Sequence, residues 1–169
     1  VSSLGTSTKT YPYSQALTMT VSGTLGSGAI TYAIASGGTA TSCTLSNSSS
    51  SATISASSSG TCLVAATIAA DASYQASTSP AATFTFSRAT QASLNITSTS
   101  GIYGTPLAMT TSGGTGSGSV TYTSVSGTVS CTVSGSNISS SGVGNCLITA
   151  TKGFDVNYDT ITSSQTTVS

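Results

Sequence analysis

The sequence predicts an all-β protein folded as two tandem Greek-key β-sandwiches of about seven strands each. An internal duplication, a period-two apolar pattern and four cysteines shared evenly between the copies predict it. Tyr13-Ser14-Gln15-Ala16-Leu17-Thr18-Met19-Thr20 returns 90 residues later as Tyr103-Gly104-Thr105-Pro106-Leu107-Ala108-Met109-Thr110. Gly26-Ser27-Gly28-Ala29-Ile30-Thr31-Tyr32 returns at the same offset as Gly116-Ser117-Gly118-Ser119-Val120-Thr121-Tyr122. A period that long is one small domain copied, not a solenoid turn. The copies divide the chain into residues 1–87 and 88–169.

The expected strands of the first copy lie near residues 4–9, 17–22, 29–35, 42–46, 52–56, 61–68 and 81–87. Apolar residues alternate with Ser and Thr along them, between Gly/Ser clusters, and no helical periodicity of useful length interrupts them. Leu17, Met19 and Val21 share one face of the second strand, as Leu107 and Met109 do in copy two. Ile30, Tyr32 and Ile34 form the inward row of the third, matched by Val120 and Tyr122. The fourth and fifth strands flank a segment where the offset between copies falls from 90 to 88 and then 84. Loops tolerate such deletions and strands do not, so the stretch from Ser48 to Ser59 reads as loop with a short strand inside. The sixth strand sends Cys62, Val64 and Ala66 inward and Leu63, Ala65 and Thr67 outward. Phe84 and Phe86 point inward from the last, where copy two has Val168. Gly113-Gly114-Thr115-Gly116-Ser117-Gly118 is expected to be a flexible hairpin loop, since no helix follows it as a phosphate-binding loop requires.

Four cysteines allow three pairings. The repeat selects one, because Cys43 aligns with Cys131 and Cys62 with Cys146. The expected disulfides are Cys43–Cys62 and Cys131–Cys146, each a staple for a domain small enough to need one. The rival is a zinc site built from the four thiolates. It lacks both a C-x-x-C pair and any His. Disulfides imply an oxidising compartment, so the expected location is extracellular or cell-surface.

Charged residues make up 4% of the chain and the formal net charge is zero. Lys9, Arg88, Lys152, Asp71, Asp155 and Asp159 are the whole supply, too few for a phosphate-neutralising groove. Nucleic acid is therefore not an expected partner. No hydrophobic run is long enough for a membrane-spanning helix, and membrane insertion is not expected either. Hydroxyls hydrate the surface instead, since about four residues in ten are Ser or Thr.

The same inventory argues against an enzyme. With no His and no Glu, a serine or cysteine nucleophile lacks its usual base. Paired-carboxylate chemistry needs two acids in one cleft, and copy one has only Asp71. No cofactor is expected. Asp71 and Asp155 each open an Asp-x-x-Tyr turn, ending at Tyr74 and Tyr158. Each reads either as a calcium ligand at a domain junction or as an Asp that bonds its own turn. An intramolecular Lys–Asn cross-link needs a Lys, an Asn and a buried acid on adjacent strands; Lys9 and Lys152 do not align with each other, so the copies do not share one. Asn47, Asn95 and Asn137 open N-glycosylation sequons of a kind that Ser/Thr-rich sequence produces by chance.

Leu63 and Leu147 stand on the outer face, where Thr would be expected. They are either partly covered surface residues or a periodic contact with a laterally packed identical chain.

Tyr103-Gly104-Thr105-Pro106-Leu107, Gly118-Ser119-Val120-Thr121-Tyr122 and Gly144-Asn145-Cys146-Leu147-Ile148-Thr149-Ala150-Thr151-Lys152 resemble the bacterial immunoglobulin-like repeats of secreted and surface proteins, the MBG type among them. The likeness continues through Asp155-Val156-Asn157-Tyr158 and the junction Arg88-Ala89-Thr90-Gln91, and covers nearly the whole chain twice. It implies two immunoglobulin-like sandwiches that act as spacers in an adhesin, stalk or extracellular fibre. Neighbouring repeats would then be the partners. The last strand stops before an equivalent of Phe86, so the chain reads as a two-repeat window on a longer one. The alternative class is a ligand-binding surface module for glycan or ice, to which Thr83 and Thr85, or Thr121 and Thr123, would contribute a Thr ladder.

Overall fold

In the computed structural model, the structure describes residues 3–5, 8–10, 17–47 and 51–169. The chain divides into two compact units, Val1–Ala89 and Thr90–Ser169. Unit 1 contains β1 (Ser3–Leu4), β2 (Thr8–Thr10), β3 (Leu17–Ser22), β4 (Ile30–Ala35), β5 (Thr44–Asn47), β6 (Ser51–Ser55), β7 (Gly60–Ile68), β8 (Ser77–Thr78) and β9 (Ala82–Ser87). Unit 2 contains β10 (Leu94–Ile96), β11 (Leu107–Ala108), β12 (Thr111–Gly113), β13 (Val120–Gly127), β14 (Cys131–Ser134), β15 (Asn137–Ser140), β16 (Cys146–Lys152), β17 (Ile161–Thr162) and β18 (Thr166–Val168). No helix occurs among the described residues.

Unit 1 is two stacked sheets. One has the order β1-β3-β6-β5, and the other β2-β9-β7-β4 with β8 also on β7. First, second, fifth and fourth principal strands in one layer, with third, sixth and seventh in the other, is the immunoglobulin arrangement. Unit 2 repeats it. The strand equivalent to β3 is interrupted between Ala108 and Thr111, so its first layer is in two pieces, β10-β12 and β11-β15-β14. Its second layer is β13-β16 with β17 and β18 on the far side of β16.

Seven principal strands become nine for two physical reasons. The expected strand near 4–9 is two strands, because the chain changes layers: β1 pairs with β3, and β2 pairs in parallel with β9. The expected last strand is preceded by β8, and a one-residue register shift separates the two: Thr67 faces Thr78, but Val64 faces Ala82. At the shift, Ser79 N–H donates to the Ala66 carbonyl, while Ser79 Oγ accepts from Ala66 N–H at 3.1 Å. A buried hydroxyl thus replaces the carbonyl that the bulge displaces. Ser163 does the same for Ala150, at 3.0 Å.

Alternation places the core. Along β7, Cys62, Val64, Ala66 and Ile68 are buried while Leu63, Ala65 and Thr67 are half-buried. Phe84 and Phe86 from β9 and Tyr32 from β4 close on them, with Ile54 and Ala52 from the opposite layer. In unit 2, Ile148, Ala150, Cys146 and Val168 meet Leu94, Ile96, Met109 and Ile138, with Val120 and Tyr122 packed at the margin. The side chains of Leu17 and Met19, expected to face inward, lie outside the described residues. Ile34 departs from expectation. It has inward parity but is 42% exposed, because β4 is the edge strand of its layer, whereas its partner Val64 on interior β7 is fully buried.

Both disulfides are formed: Cys43–Cys62 and Cys131–Cys146, with Cα separations of 6.0 and 5.9 Å. Each ties the start of an edge strand of one layer, β5 or β14, to an interior strand of the other, β7 or β16. No other bridge joins the layers, and none joins the two units.

Candidate functional site

Three features are built at equivalent places in both units: a carboxylate lock at the N-terminal pole, a sulfur bridge through the core, and backbone bonds between the first and last segments, a parallel strand pair in unit 1 and two hydrogen bonds in unit 2. The N-terminal pole is where the chain enters each sandwich, and where the loops 23–29 and 69–76 of unit 1 meet.

Asp71 is the lock in unit 1. Its Oδ1 accepts from Ser73 N–H and Tyr74 N–H, both at 2.8 Å, which closes its own turn. Its Oδ2 accepts from Ser27 N–H at 2.6 Å and from the Ser27 hydroxyl at 3.2 Å, across to the other loop. Asp155 repeats all four bonds with Asn157, Tyr158 and Ser117. The amides favour the charged form. With the Ser27 amide as the largest cause, followed by those of Ser73 and Tyr74, the Asp71 carboxyl is held down to about 2. The Ser117 amide, followed by that of Asn157, holds Asp155 well below the usual carboxylate range.

The glycines around each serine make the approach possible. A Cβ on Gly26 would stand 2.6 Å from Asp71 Oδ2, and one on Gly28 would collide with the Ala69 carbonyl oxygen. Gly116 and Gly118 stand in the same relation to Asp155 Oδ2 and the Gly153 carbonyl oxygen. The Gly113–Gly118 segment is therefore not a flexible hairpin loop. It crosses between layers, since β12 and β13 do not pair, and it is held at several points. Lys152 Nζ donates to the Gly114 carbonyl at 3.0 Å. Gln91, buried, accepts from Gly116 N–H and donates to the carbonyls of Gly153 and Asp159.

Of the two readings of Asp71 and Asp155, the geometry carries the turn-bonding one. Each carboxylate oxygen already accepts two hydrogen bonds, and calcium wants six to eight oxygens. Among the described residues no three His, Cys, Asp or Glu side chains gather to hold a metal. The cross-loop bond to Ser27 lay beyond sequence reasoning, although the repeated Gly-Ser-Gly was its signal. Gln91 had none, since it aligns with Val1, outside the described residues.

Leu63 and Leu147 are half-buried on the outer faces of β7 and β16. Leu63 lies between Ala35 and Thr83, and Leu147 between Ser126 and Thr167. Asn95 and Asn137 are exposed on their strands. Of the sequon of Asn47, Ser48 and Ser49 lie outside the described residues.

In unit 1 the first and last strands run side by side in the same direction. Thr8, Lys9 and Thr10 face Thr85, Phe86 and Ser87 in parallel. In unit 2, Ser169 N–H donates to the Thr99 carbonyl at 3.0 Å, and its carbonyl accepts from Gly101 N–H at 2.8 Å.

No protein-family model matches this chain, and no curated protein matches it. Among solved structures, the D0-D1 domain of Intimin aligns over 98% of this chain and 97% of its own, at 18% identity and a TM-score of 0.32. That score carries neither fold nor function across. The immunoglobulin-like assignment rests on strand order, which the two units share.

Proposed function

We propose that this chain is a pair of structural modules of a long extracellular protein, the shaft of a filament, stalk or adhesin, and not an enzyme. The parallel pairing of first and last strands carries the reading. The chain enters each sandwich at one pole and leaves at the other. Tension between those ends slides β2 against β9, and all their bonds are loaded together instead of one by one. An Ig-like sandwich wired in this way resists extension. The disulfides support the same reading, since they belong to oxidising compartments and hold part of each unit shut. The surface, with almost no charge, is indifferent to the salt of an outside medium.

Pulling single chains by their ends tests it. Two separate unfolding events are expected. Gly101→Pro removes the N–H bonded to Ser169 and lowers the force of one event while leaving the other. Two low-force events in the wild type, unchanged by Gly101→Pro, would sink the mechanical reading. Lateral contact between identical chains through Leu63 and Leu147 belongs to the same proposal. Leu63→Ser with Leu147→Ser should reduce side-by-side bundling in electron micrographs.

A second reading has its own observation. The outer faces carry cross-strand threonine rows, Thr31–Thr67–Thr78 in unit 1 and Thr121–Thr151–Thr162 in unit 2. Such rows suit a glycan or ice surface. They rank second because the hydroxyls pair with one another, Thr67 with Thr78 at 2.8 Å and Thr151 with Thr162 at 3.0 Å. Thermal hysteresis or a glycan-array signal would reverse that order.

A further inference from the structure

The edge of a sheet presents backbone groups that another strand can take up. β4 is such an edge. It ends the layer β2-β9-β7-β4, and among the described residues no strand lies on its other side. Ala69 N–H donates to the Ala29 carbonyl at 2.8 Å, which fixes the bonded positions of the β4–β7 ladder. Bonded positions alternate along an antiparallel pair, so Thr31, Ala33 and Ala35 turn their amides and carbonyls to β7. Ile30 and Ile34 turn theirs away from it, toward the open side.

Natural edges are blunted by charge, proline or a bulge. β4 has none of these. Ile30-Thr31-Tyr32-Ala33-Ile34-Ala35 is uncharged and free of proline, and its register with β7 is unbroken. The equivalent strand of unit 2 is blunted. The register of β13 with β16 shifts between Ser124 and Ser126, and Ser124 stands where β4 has Ile34. The edge of unit 1 is therefore left open at a place where unit 2 closes it.

We propose that β4 pairs antiparallel with β4 of a second copy of this chain, about a two-fold axis through the middle of the strand. In that register Ile30 of each copy faces Ile34 of the other, at bonded positions of the new ladder. The exposed flank of Ile34 is then covered by an isoleucine on the same side of the sheet. On the opposite side Thr31 faces Ala33, and both are small enough to let the strands close. A two-fold contact sets each surface against its own copy, so any charge there would stand near its like. No charged residue lies between Lys9 and Asp71, and that penalty is absent. A foreign strand finds no charge to read on this edge, whereas a second copy brings the apolar complement of Ile34 in the matching register. The contact is lateral and makes no demand on either pole of the unit. One short strand pair buries far less than a standard interface of about 1,600 Å², which sets a weak contact, with a dissociation constant of roughly 0.1–1 mM.

Edge pairing rests on the shaft reading for its purpose, but the tests are separable, because a chain can resist tension without pairing and can pair without resisting tension. The first measurement is sedimentation equilibrium from about 10 μM to about 1 mM, the range that brackets such a constant. The average mass should rise from one chain toward two. Ile34→Lys, a change at an exposed edge position that leaves the melting transition in place, should abolish the rise. Ser124→Lys, at the equivalent place in unit 2, should not, and neither should Leu63→Ser with Leu147→Ser. The second measurement is amide exchange in the unmodified chain. Exchange at Ile30 and Ile34 should slow about two- to fivefold over that range, with Thr31, Ala33 and Val120 unchanged. A wild type that stays monomeric at about 1 mM leaves the edge to a strand of another protein and overturns the proposal. Association that survives Ile34→Lys, or that is lost in the Ser124 or Leu63/Leu147 variants, overturns it equally. So does association that leaves the Ile30 and Ile34 amides exchanging as they do in the dilute chain.

Discussion

Reducing the disulfides should change how far each unit extends when pulled apart, by an amount that the covalent geometry fixes. In the oxidised chain, tension on the ends bypasses the segment between Cys43 and Cys62, which are 19 residues apart in sequence and 6.0 Å apart in space. An extended chain covers about 3.5 Å per residue. Unit 1 therefore withholds about 60 Å of chain while its bridge is intact. Unit 2, with a separation of 15 and a spacing of 5.9 Å, withholds about 47 Å. Force–extension curves with and without dithiothreitol should show two unfolding steps that lengthen by those two different amounts. Reduction should also lower the stability of each unit by about 3 kcal/mol in the chain-entropy treatment. Steps that keep their length on reduction, or a gain shared equally between the two, would mean that the bridges do not lie inside the units as described. The reasoning would then fail at its first step.

The carboxylate locks should show in acid. A carboxyl whose folded value is depressed stabilises the fold above its ordinary value, here 3.8, and loses that contribution as pH falls through the folded value. The melting temperature of unit 1 should drop between about pH 4 and pH 2, and in Asp71→Asn most of that drop should be absent; Asp155→Asn tests unit 2, whose loss continues further into acid. Phe84→Ala empties a fully buried site and should cost unit 1 about 3–5 kcal/mol in chemical denaturation, with the transition of unit 2 unmoved. Gly118→Ala drives a methyl group into the Gly153 carbonyl and should destabilise unit 2 by more than about 1 kcal/mol. Gly142→Ala, whose new methyl meets nothing closer than 3.7 Å, should be silent in the same assay.

The strands were the legible part of this chain, because alternation is a local signal. Cys62, Val64 and Ala66 could be assigned to one face from spacing alone, and Phe84 and Phe86 likewise. Duplication made the cysteine pairing legible too, since two equivalent pairs leave little choice. Ile34 shows the limit of parity. Which side a residue faces is written in the sequence, but whether anything covers that side depends on the strand's place in its layer. The lock from Ser27 to Asp71 was illegible for a related reason. It spans 44 residues and depends on glycines whose role is to leave room, and an absent side chain names no partner. Gln91 is polar where an apolar residue would be expected at the start of a sandwich, and nothing local announces that three backbone groups await it. The layer change between β1 and β2 was hidden for want of a residue that marks such a crossing.

Each sulfur bridge joins cysteines that are neighbours along the chain, the first with the second and the third with the fourth. For a polypeptide threaded through a membrane from its N-terminus, the right partner is always the next one to emerge. On the proposed extracellular reading, oxidation can proceed in step with export, with no wrong pair to undo. Copies can then be gained or lost by recombination without creating an orphan thiol, provided that whole units are exchanged. On the proposed shaft reading, a gene built in this way can vary the reach of its product, because no length it tries changes the chemistry by which the product matures.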